Sequence, residues 1–179
     1  NINLRLSYSS GFRAPQAFDE DMHIENVGGT VAMIERAKDL KEEKSQSFSV
    51  SADMYHRFGA FQTNLLIEGF YTRLTDVFVL GKPYDRGDGI LVKTRSNGPG
   101  AKVMGLTLEG KVAYLSILQI QAGLTLQRSR YDEPHKWHDD APAEKKIFRT
   151  PDTYGYFTAT CTPIKPLSIA LSGTYTGRM

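Results

Sequence analysis

The sequence has little cysteine and no long hydrophobic run. Cys161 is the one cysteine among 179 residues, so the chain forms no internal disulfide, and no partner at metal-ligand spacing accompanies it. No stretch approaches about 18 consecutive apolar residues, which excludes a membrane-spanning helix. These two absences exclude a disulfide-rich fold, a cysteine-based metal site and a helical membrane protein.

The sequence also lacks an excess of charge of one sign. Its 22 basic and 20 acidic residues give a formal net charge of +2, and no run of Lys and Arg stands out. Without a basic patch or a known nucleic-acid-binding motif, we expect no nucleic-acid partner. The composition, with 40% hydrophobic residues, is also compatible with one globular domain and therefore does not decide the fold class.

Motifs of catalysis and cofactor binding are missing as well. There is no Gly-x-Ser-x-Gly elbow, no phosphate-binding glycine loop and no His-Glu-x-x-His. Cys161 has no histidine near it in sequence. We therefore expect no enzymatic activity, no catalytic residue and no cofactor.

What the sequence does contain is alternation of apolar and polar residues, which predicts β-strands. In the first segment, Ile2, Leu4 and Leu6 share one face. Asn3, Arg5 and Ser7 share the other. The alternation is equally clear in four further segments and blurred in two, where Leu66 and Phe70 and the aromatics of 154–161 fall on unexpected faces. The seven segments are Ile2–Ser9, Gln46–His56, Phe61–Val79, Val92–Val112, Ile117–Tyr131, Phe148–Cys161 and Leu167–Arg178.

The links between these segments alternate in length. Arg57–Ala60, Ala113–Ser116 and Thr162–Pro166 hold four or five residues each. The other three links, Ser10–Ser45, Leu80–Leu91 and Asp132–Ile147, are much longer. Transmembrane β-barrels have tight turns on one rim and long loops on the other. The alternative is a soluble or surface-attached β-sheet module for binding or adhesion, whose half-buried strands would alternate in the same way.

Both ends of the sequence fall on predicted strands. Asn1 begins directly on a strand, and Met179 follows Arg178 within an apparent strand. Seven strands in an open sheet would leave two unpaired edges, which lipid does not tolerate. We therefore expect residues 1–179 to be one part of a larger barrel.

Four segments, taken in order, resemble motifs of TonB-dependent outer-membrane receptors. Ser7–Pro15 resembles that family's aromatic strand end followed by a Gly-Phe-Arg-Ala-Pro bend, here with Phe12, Arg13 and Pro15. The other three motifs follow in the family's order. Leu40–Ser45 resembles the family's Leu-x-Pro-Glu-Lys-Ser strand start, with Glu43 matching and Glu42 in place of proline. Gly69–Phe78 resembles its aromatic strand with an Asp-x-Ile exit. Asn97–Glu109 resembles a further strand of the family and matches it at Asn97, Ala101 and Gly105.

The resemblance covers essentially the whole chain and implies its fold and role. The fold class is all-β, an antiparallel arc of about seven transmembrane strands from a barrel of about 22. The resemblance implies the bacterial outer membrane and import of a scarce ligand, such as an iron chelate (siderophore), haem or cobalamin. Its implied partners are the lipid bilayer, the rest of the barrel, a plug domain, TonB acting through an N-terminal part outside this sequence, and the small-molecule ligand.

The motif residues have structural roles in this interpretation. Pro15 ends strand pairing, Phe12 and Tyr8 belong to an interfacial aromatic girdle, and Gly105 marks a bulge or a close approach between strands. Arg13 is expected to pair with a carboxylate. Glu109 and Lys111 share a face and are expected to make wall contacts.

Two long loops carry clusters that are candidates for ligand binding. Carboxylates and imidazoles bind cations or coordinate a chelated metal, although solvated loops have the same composition. The spacing His135-x-x-His138 is not that of a zinc site, so we expect no resident metal. The candidates are Asp19, Asp21 and His23 in the first loop and His135, His138, Asp139 and Asp140 in the third.

Overall fold

The computed structural model describes residues 1–15, 32–87, 90–136, 142–147 and 150–178. None of the described residues forms a helix long and apolar enough to cross a membrane. They form twelve strands. The strands are β1 (Ile2–Arg13), β2 (Ala32–Arg36), β3 (Glu43–Phe58), β4 (Phe61–Thr75), β5 (Phe78–Leu80), β6 (Tyr84–Asp85), β7 (Leu91–Asn97), β8 (Ala101–Tyr114), β9 (Leu118–His135), β10 (Glu144–Lys146), β11 (Thr153–Ile164) and β12 (Leu167–Thr176).

The chain divides into two compact units. The larger unit contains Asn1–Ser9, Ser47–Thr72 and Lys102–Met179. The smaller unit contains Ser10–Gln46 and Arg73–Ala101. Each unit is described by itself below.

The larger unit is built on one sheet with the strand order β1-β3-β4-β8-β9-β11-β12, and β10 adds to β9. β11 pairs antiparallel with both β9 and β12. Contacts of Asn1 with Tyr55 and of Ser7 with Ser49 fix the same antiparallel sense for β1 and β3. The prediction of an antiparallel all-β arc of about seven main strands is confirmed.

Short connections follow β3, β8 and β11. They contain only residues 59–60, 115–117 and 165–166, fewer than the sequence predicts. Gly59 has a φ of 57°, the conformation that a type II′ hairpin turn requires at its first central residue. Because neighbouring main strands are antiparallel and follow one another in sequence, these three turns share one end of the sheet. We call it the turn end, and the opposite end the loop end.

Two segments that the sequence predicts as single strands are each divided in the structure. Phe61–Val79 is interrupted at Asp76, whose φ of 55° takes the backbone out of the extended region. Asp tolerates this left-handed conformation better than most residues. Val92–Val112 is interrupted between Asn97 and Ala101, where Pro99 has no N–H for a ladder bond. The prediction of one strand was wrong in both places.

The smaller unit contains a second sheet, which the alternation does not predict. β7 is its central strand, parallel to β2 on one side and antiparallel to β5 and β6 on the other. Val92 on β7 is fully buried and Arg95 is 6% exposed. This sheet is made of strands of two to seven residues, too short to show a periodicity.

The larger sheet has two chemically different faces. The apolar face is solvent-accessible: Leu6 is 84% exposed and Leu171 is 62% exposed. The polar face contains the more buried side chains, including Ser51 at 8% and Thr125 at 7%. Large side chains of the apolar face include Leu4, Leu6, Phe48, Val50, Leu65, Ile67, Leu106, Leu108, Ile120, Leu124, Phe157, Ile169 and Leu171.

Candidate functional site

The polar face is held together by side-chain hydrogen bonds between adjacent strands. The Ser7 and Ser49 hydroxyls lie 2.7 Å apart, and the Oγ1 atoms of Thr107 and Thr125 lie 3.1 Å apart. Such cross-strand pairs fix the register and satisfy polar groups that lipid would leave unpaired. Further pairs join Ser47 to Thr72, Asn64 to Asp53, and Gln121 to the Tyr156 hydroxyl.

Charged side chains on this face are of both signs. Asp53 accepts hydrogen bonds from the Tyr55 hydroxyl and the Asn64 amide. Arg5, Glu68, Glu109 and Lys111 also project from the polar face by the same alternation. Within the described residues these four make no ion pair or hydrogen bond through their side chains. The wall contacts expected of Glu109 and Lys111 therefore stay a prediction.

Aromatic rings cover glycines on neighbouring strands. A Cβ added at Gly105 would lie 2.5 Å from Phe70 and 2.6 Å from the Leu126 carbonyl oxygen. The Tyr156 ring covers Gly123 in the same way on the polar face. Alternation places the large rings of Phe70 and Tyr156 on the unexpected, polar face, and these contacts explain why. Each ring shields backbone exposed by an absent side chain.

An open groove runs across the strands of the larger unit and is lined mainly by apolar atoms. Two neighbouring cross-strand rows of the apolar face flank it. One row contains Tyr8, Phe48 and Met104, and the other contains Leu6, Val50 and Leu106. On the opposite, polar face, the Gln127 side-chain amide donates to the Pro151 carbonyl and anchors the chain before β11.

The apolar face carries two rows of aromatic side chains. At the turn end, Phe61 stacks on Phe58 at 5.4 Å and contacts Tyr114 at 4.9 Å between ring centroids. Towards the loop end, the Tyr8 and Phe48 rings lie 4.7 Å apart. By register, Tyr71 lies opposite Phe48. We call these the turn-end and loop-end aromatic rows.

The spacing of the two rows matches the thickness of a membrane. Phe61 and Tyr71 lie on β4, ten residues apart. At about 3.3 Å per residue they are about 33 Å apart along the strand. With the strand tilt of about 40° usual in barrels, this gives an apolar band about 25 Å tall. Outer-membrane barrels have bands of this height between aromatic girdles.

In the smaller unit, the motif residue Asn97 binds three backbone groups. Its Oδ1 accepts from the Lys41 amide at 2.8 Å, and its Nδ2 donates to the carbonyl oxygens of Lys41 at 3.0 Å and Asp76 at 2.7 Å. A second motif residue, Glu43, accepts from the Phe78 amide at 2.9 Å. These bonds join the chain before β3, the chain after β4 and the end of β7.

The remaining motif residues also occupy defined positions. β1 ends at Arg13, two residues before Pro15. The Arg13 guanidinium lies over the Phe78 ring, 5.2 Å from its centroid, which is a cation–π contact. Ala101 is 1% exposed and Phe12 is 76% exposed.

Electrostatic effects in the smaller unit are modest. Burial, and then the charge of Arg13, lowers the pKa of the Arg95 guanidinium. Glu42, which replaces the family's proline, has a pKa lowered first by a hydrogen bond with its own backbone and then by Lys44. Both side chains of the Glu42–Lys44 pair are about half exposed, so their 3.1 Å contact is a weak surface ion pair.

The predicted ligand-binding residues cannot be placed in the same way. Asp19, Asp21, His23, His138, Asp139 and Asp140 lie outside the described residues. His135 ends β9, with its backbone opposite Glu144 of β10. The described ranges contain no group of three or more His, Cys, Asp or Glu side chains arranged to hold a metal ion.

An aromatic girdle at Tyr8 and a bulge or close approach at Gly105 were expected from the sequence. The turn-end aromatic row and the rings that cover Gly105 and Gly123 were not. Their signal was present as aromatics ten residues apart on β3 and β4 and as glycines among large side chains. This pattern can be interpreted only when the strand register shows which of those residues lie side by side.

An accessible apolar face, a hydrogen-bonded polar face and two aromatic rows about 25 Å apart define the wall of a transmembrane β-barrel. Comparison with protein families identifies which barrel. The family described as TonB dependent receptor-like, beta-barrel matches residues 1–178. The chain belongs to this family, whose barrels reside in the bacterial outer membrane and serve transport, not enzymatic catalysis.

A solved structure supports the same fold. The chain is similar to the FrpB iron transporter from Neisseria meningitidis (F3-3 variant), with a TM-score of 0.62 and 17% sequence identity. The match covers 98% of this chain and 24% of that chain, so the sequence spans about a quarter of the transporter's length. No curated protein matches the sequence.

Proposed function

We propose that this chain is part of the wall of an outer-membrane transporter that imports a scarce ligand with energy transmitted by TonB. The family match over residues 1–178 carries the proposal. The two faces of the sheet support it, because the apolar face suits lipid and the polar face suits the interior of a barrel. In this proposal the turn end is periplasmic and the long connections are extracellular.

The proposal includes additional strands of the barrel wall and a partner inside the barrel. An open sheet with β1 and β12 at its edges requires more strands to close in a bilayer. Within the described residues, Arg5, Glu68, Glu109 and Lys111 make no ion pair or hydrogen bond through their side chains. A plug domain inside the barrel would supply polar partners for these side chains. Residues 1–179 are then one segment of the barrel domain.

Iron in chelated form is the ligand class we propose first. The supporting observation is the fold similarity to a structure described as an iron transporter. Haem and cobalamin, which the family also carries, are the alternatives.

Uptake by cells tests this function directly. The intact receptor would be expressed in an iron-limited Gram-negative host lacking its own receptors for ferric chelates, haem and cobalamin. We expect uptake of a labelled ferric chelate that disappears when TonB is deleted. Uptake that persists without TonB would show a passive pore instead. No uptake of any of the three ligands at normal surface abundance would contradict the proposal.

The loop residues provide a narrower test. We propose that the third loop contributes to ligand capture, since carboxylates and imidazoles suit a chelated metal. Replacing His135, His138, Asp139 and Asp140 together by alanine should lower ligand affinity at least roughly tenfold, about 1.4 kcal/mol. Binding to intact cells would be measured alongside surface abundance. Unchanged affinity at normal abundance would make these residues part of a solvated loop only.

The alternative of a soluble or surface-attached binding module receives no support from the packing. Such a module would cover its apolar sheet face, whereas Leu4, Leu6 and Leu171 are each more than half exposed. The family match points the same way.

A further inference from the structure

Towards the loop end, the apolar face of β8 and β9 changes abruptly from apolar to basic side chains. Its last large apolar side chains there are Met104 on β8 and Leu126 on β9, 39% and 48% exposed. By alternation, the next side chains on the same face are Lys102, Arg128 and Arg130. The alternation of exposure continues through these positions, since Arg128 and Arg130 are exposed on either side of the buried Ser129. Three cations therefore follow directly after the apolar band.

These cations lie close together because of the strand register. The Thr107–Thr125 contact sets β8 against β9 so that Lys102 lies opposite Arg130 and Met104 opposite Arg128. A second contact agrees with this register, because the Lys102 Nζ lies 4.0 Å from the Asp132 Oδ1. Like charges directly opposite each other on neighbouring strands are destabilising. The sheet thus contains a repulsive arrangement that an external anion would relieve.

The charge of the cluster is only partly compensated from within the chain. Asp132 contacts Lys102, and Asp152 pairs with Lys146 at 2.9 Å. Lys146 lies opposite Arg130 on β10, and Asp152 balances its charge. Within the described residues the guanidinium groups of Arg128 and Arg130 have no hydrogen-bond or ion-pair partner. Two positive charges therefore remain available for a ligand.

The depth of the cluster indicates what kind of anion it would meet. Arg128 lies at the level of the loop-end aromatic row, since Tyr71, Met104 and Arg128 follow one another across β4, β8 and β9. Aromatic girdles mark the headgroup level of a membrane. At the turn end of the same face the last side chains are the aromatic residues Phe58, Phe61 and Tyr114. The two ends of the face therefore differ in charge.

We propose that Lys102, Arg128 and Arg130 form a site for the phosphate groups of an anionic lipid headgroup in the leaflet at the loop end. Guanidinium groups bind phosphate bidentately, and a lysine adds a point charge. The apolar band below them accommodates the acyl chains of the same molecule. This position favours a membrane lipid over a soluble anion, because a soluble anion gains nothing from the neighbouring apolar face.

Lipid binding to the intact receptor in detergent tests the proposal. The probe is lipid A carrying both phosphates, compared with lipid A from which both phosphates have been removed. The variant is Arg128→Gln/Arg130→Gln. The matched control is Arg5→Gln/Lys111→Gln, which removes the same charge from the polar face. Native mass spectrometry or a fluorescent lipid titration would give the affinities.

We expect the Arg128→Gln/Arg130→Gln variant to bind the phosphorylated lipid at least about tenfold more weakly, about 1.4 kcal/mol, with the control unchanged. Raising salt should weaken wild-type binding, because exposed charges are screened. Equal affinities of wild type and variant would overturn the proposal. So would full competition by millimolar inorganic phosphate, which would indicate a soluble-anion site. Transport is not measured, so failure here leaves the proposed import function untouched.

Discussion

The two sheets of this chain treat apolar side chains in opposite ways. In the smaller unit, Val92 at the centre of β7 is fully buried, as in a water-soluble protein. In the larger unit, Leu6 is 84% exposed and Val50 is 53% exposed, whereas the polar side chains of Ser51 and Thr125 are nearly buried. The same residue type, valine, is thus a core residue in one sheet and a surface residue in the other.

The difference shows that the two sheets are built for different solvents. Water drives Val92 into a core because apolar surface in water costs free energy. A bilayer provides no such drive, and lipid tails replace protein as the neighbours of Val50. In lipid, unpaired polar groups are the expensive ones. The larger sheet therefore places its cross-strand hydrogen bonds on the face away from lipid.

The largest expected effect comes from placing a charge on the apolar face. Leu106→Arg should destabilise the intact receptor by roughly 2–4 kcal/mol, the cost of Arg near the bilayer midplane of a barrel. Thr107→Arg, one residue away on the polar face, should cost far less because the new guanidinium lies opposite Glu68. Urea unfolding of the receptor refolded into bilayers measures both. Equal penalties would refute the assignment of the two faces.

Close packing on the polar face predicts a second, somewhat smaller effect. Gly105→Val should cost about 1–3 kcal/mol, the range for overpacking, because the added Cβ meets Phe70 and the backbone oxygen of Leu126. The Phe70 ring can turn aside, but the Leu126 carbonyl is held in the strand. Gly110→Val is the matched control, since nothing lies within 4 Å of a Cβ there. Similar losses in the two variants would contradict a steric cause.

The membrane sheet was predictable from sequence because a two-residue alternation persists over long strands. The segments containing Leu106 and Ile169 repeat their apolar positions four or more times, which suffices to assign a face. Leu66, Phe70 and Tyr156 broke the alternation because each large side chain lies on the polar face. Tyr156 and Phe70 pack over glycines there. A single strand does not reveal the residue opposite, so register was needed to place them.

The smaller sheet and the role of Asn97 could not be predicted. β5 and β6 have three and two residues, and β2 and β7 pair in parallel although 54 residues separate Arg36 from Leu91 in sequence. The resemblance to the family motif gave Asn97 a structural role without indicating its partners. In the structure the Asn97 side chain binds the backbone of Lys41 and Asp76. These residues are distant in sequence and come together only in the folded unit.

The two valines sharpen the comparison of solvents. Val92→Ala should cost about 2 kcal/mol, because two buried methyl groups are lost and a cavity remains. Val50→Ala should cost less than half of that, since lipid chains fill the space. Native-state hydrogen exchange on the receptor in bilayers would report the stability of β7 and β3 separately. Equal losses at the two sites would remove the distinction between a protein core and a lipid-facing surface.

The smallest expected effect concerns the hydrogen bonds of Asn97. Asn97→Ala removes three bonds to the backbone of Lys41 and Asp76. Because these groups lie in half-exposed positions, water partly replaces the lost bonds, and we expect a cost of about 1–1.5 kcal/mol. The effect should appear as faster hydrogen exchange at the Lys41 and Gly98 amides with unchanged exchange on β9. Asn97→Asp keeps the bond from the Lys41 amide and loses the two donated bonds, so its exchange rates should be intermediate. Equal protection in wild type and Asn97→Ala would show that the backbone holds this junction without the side chain.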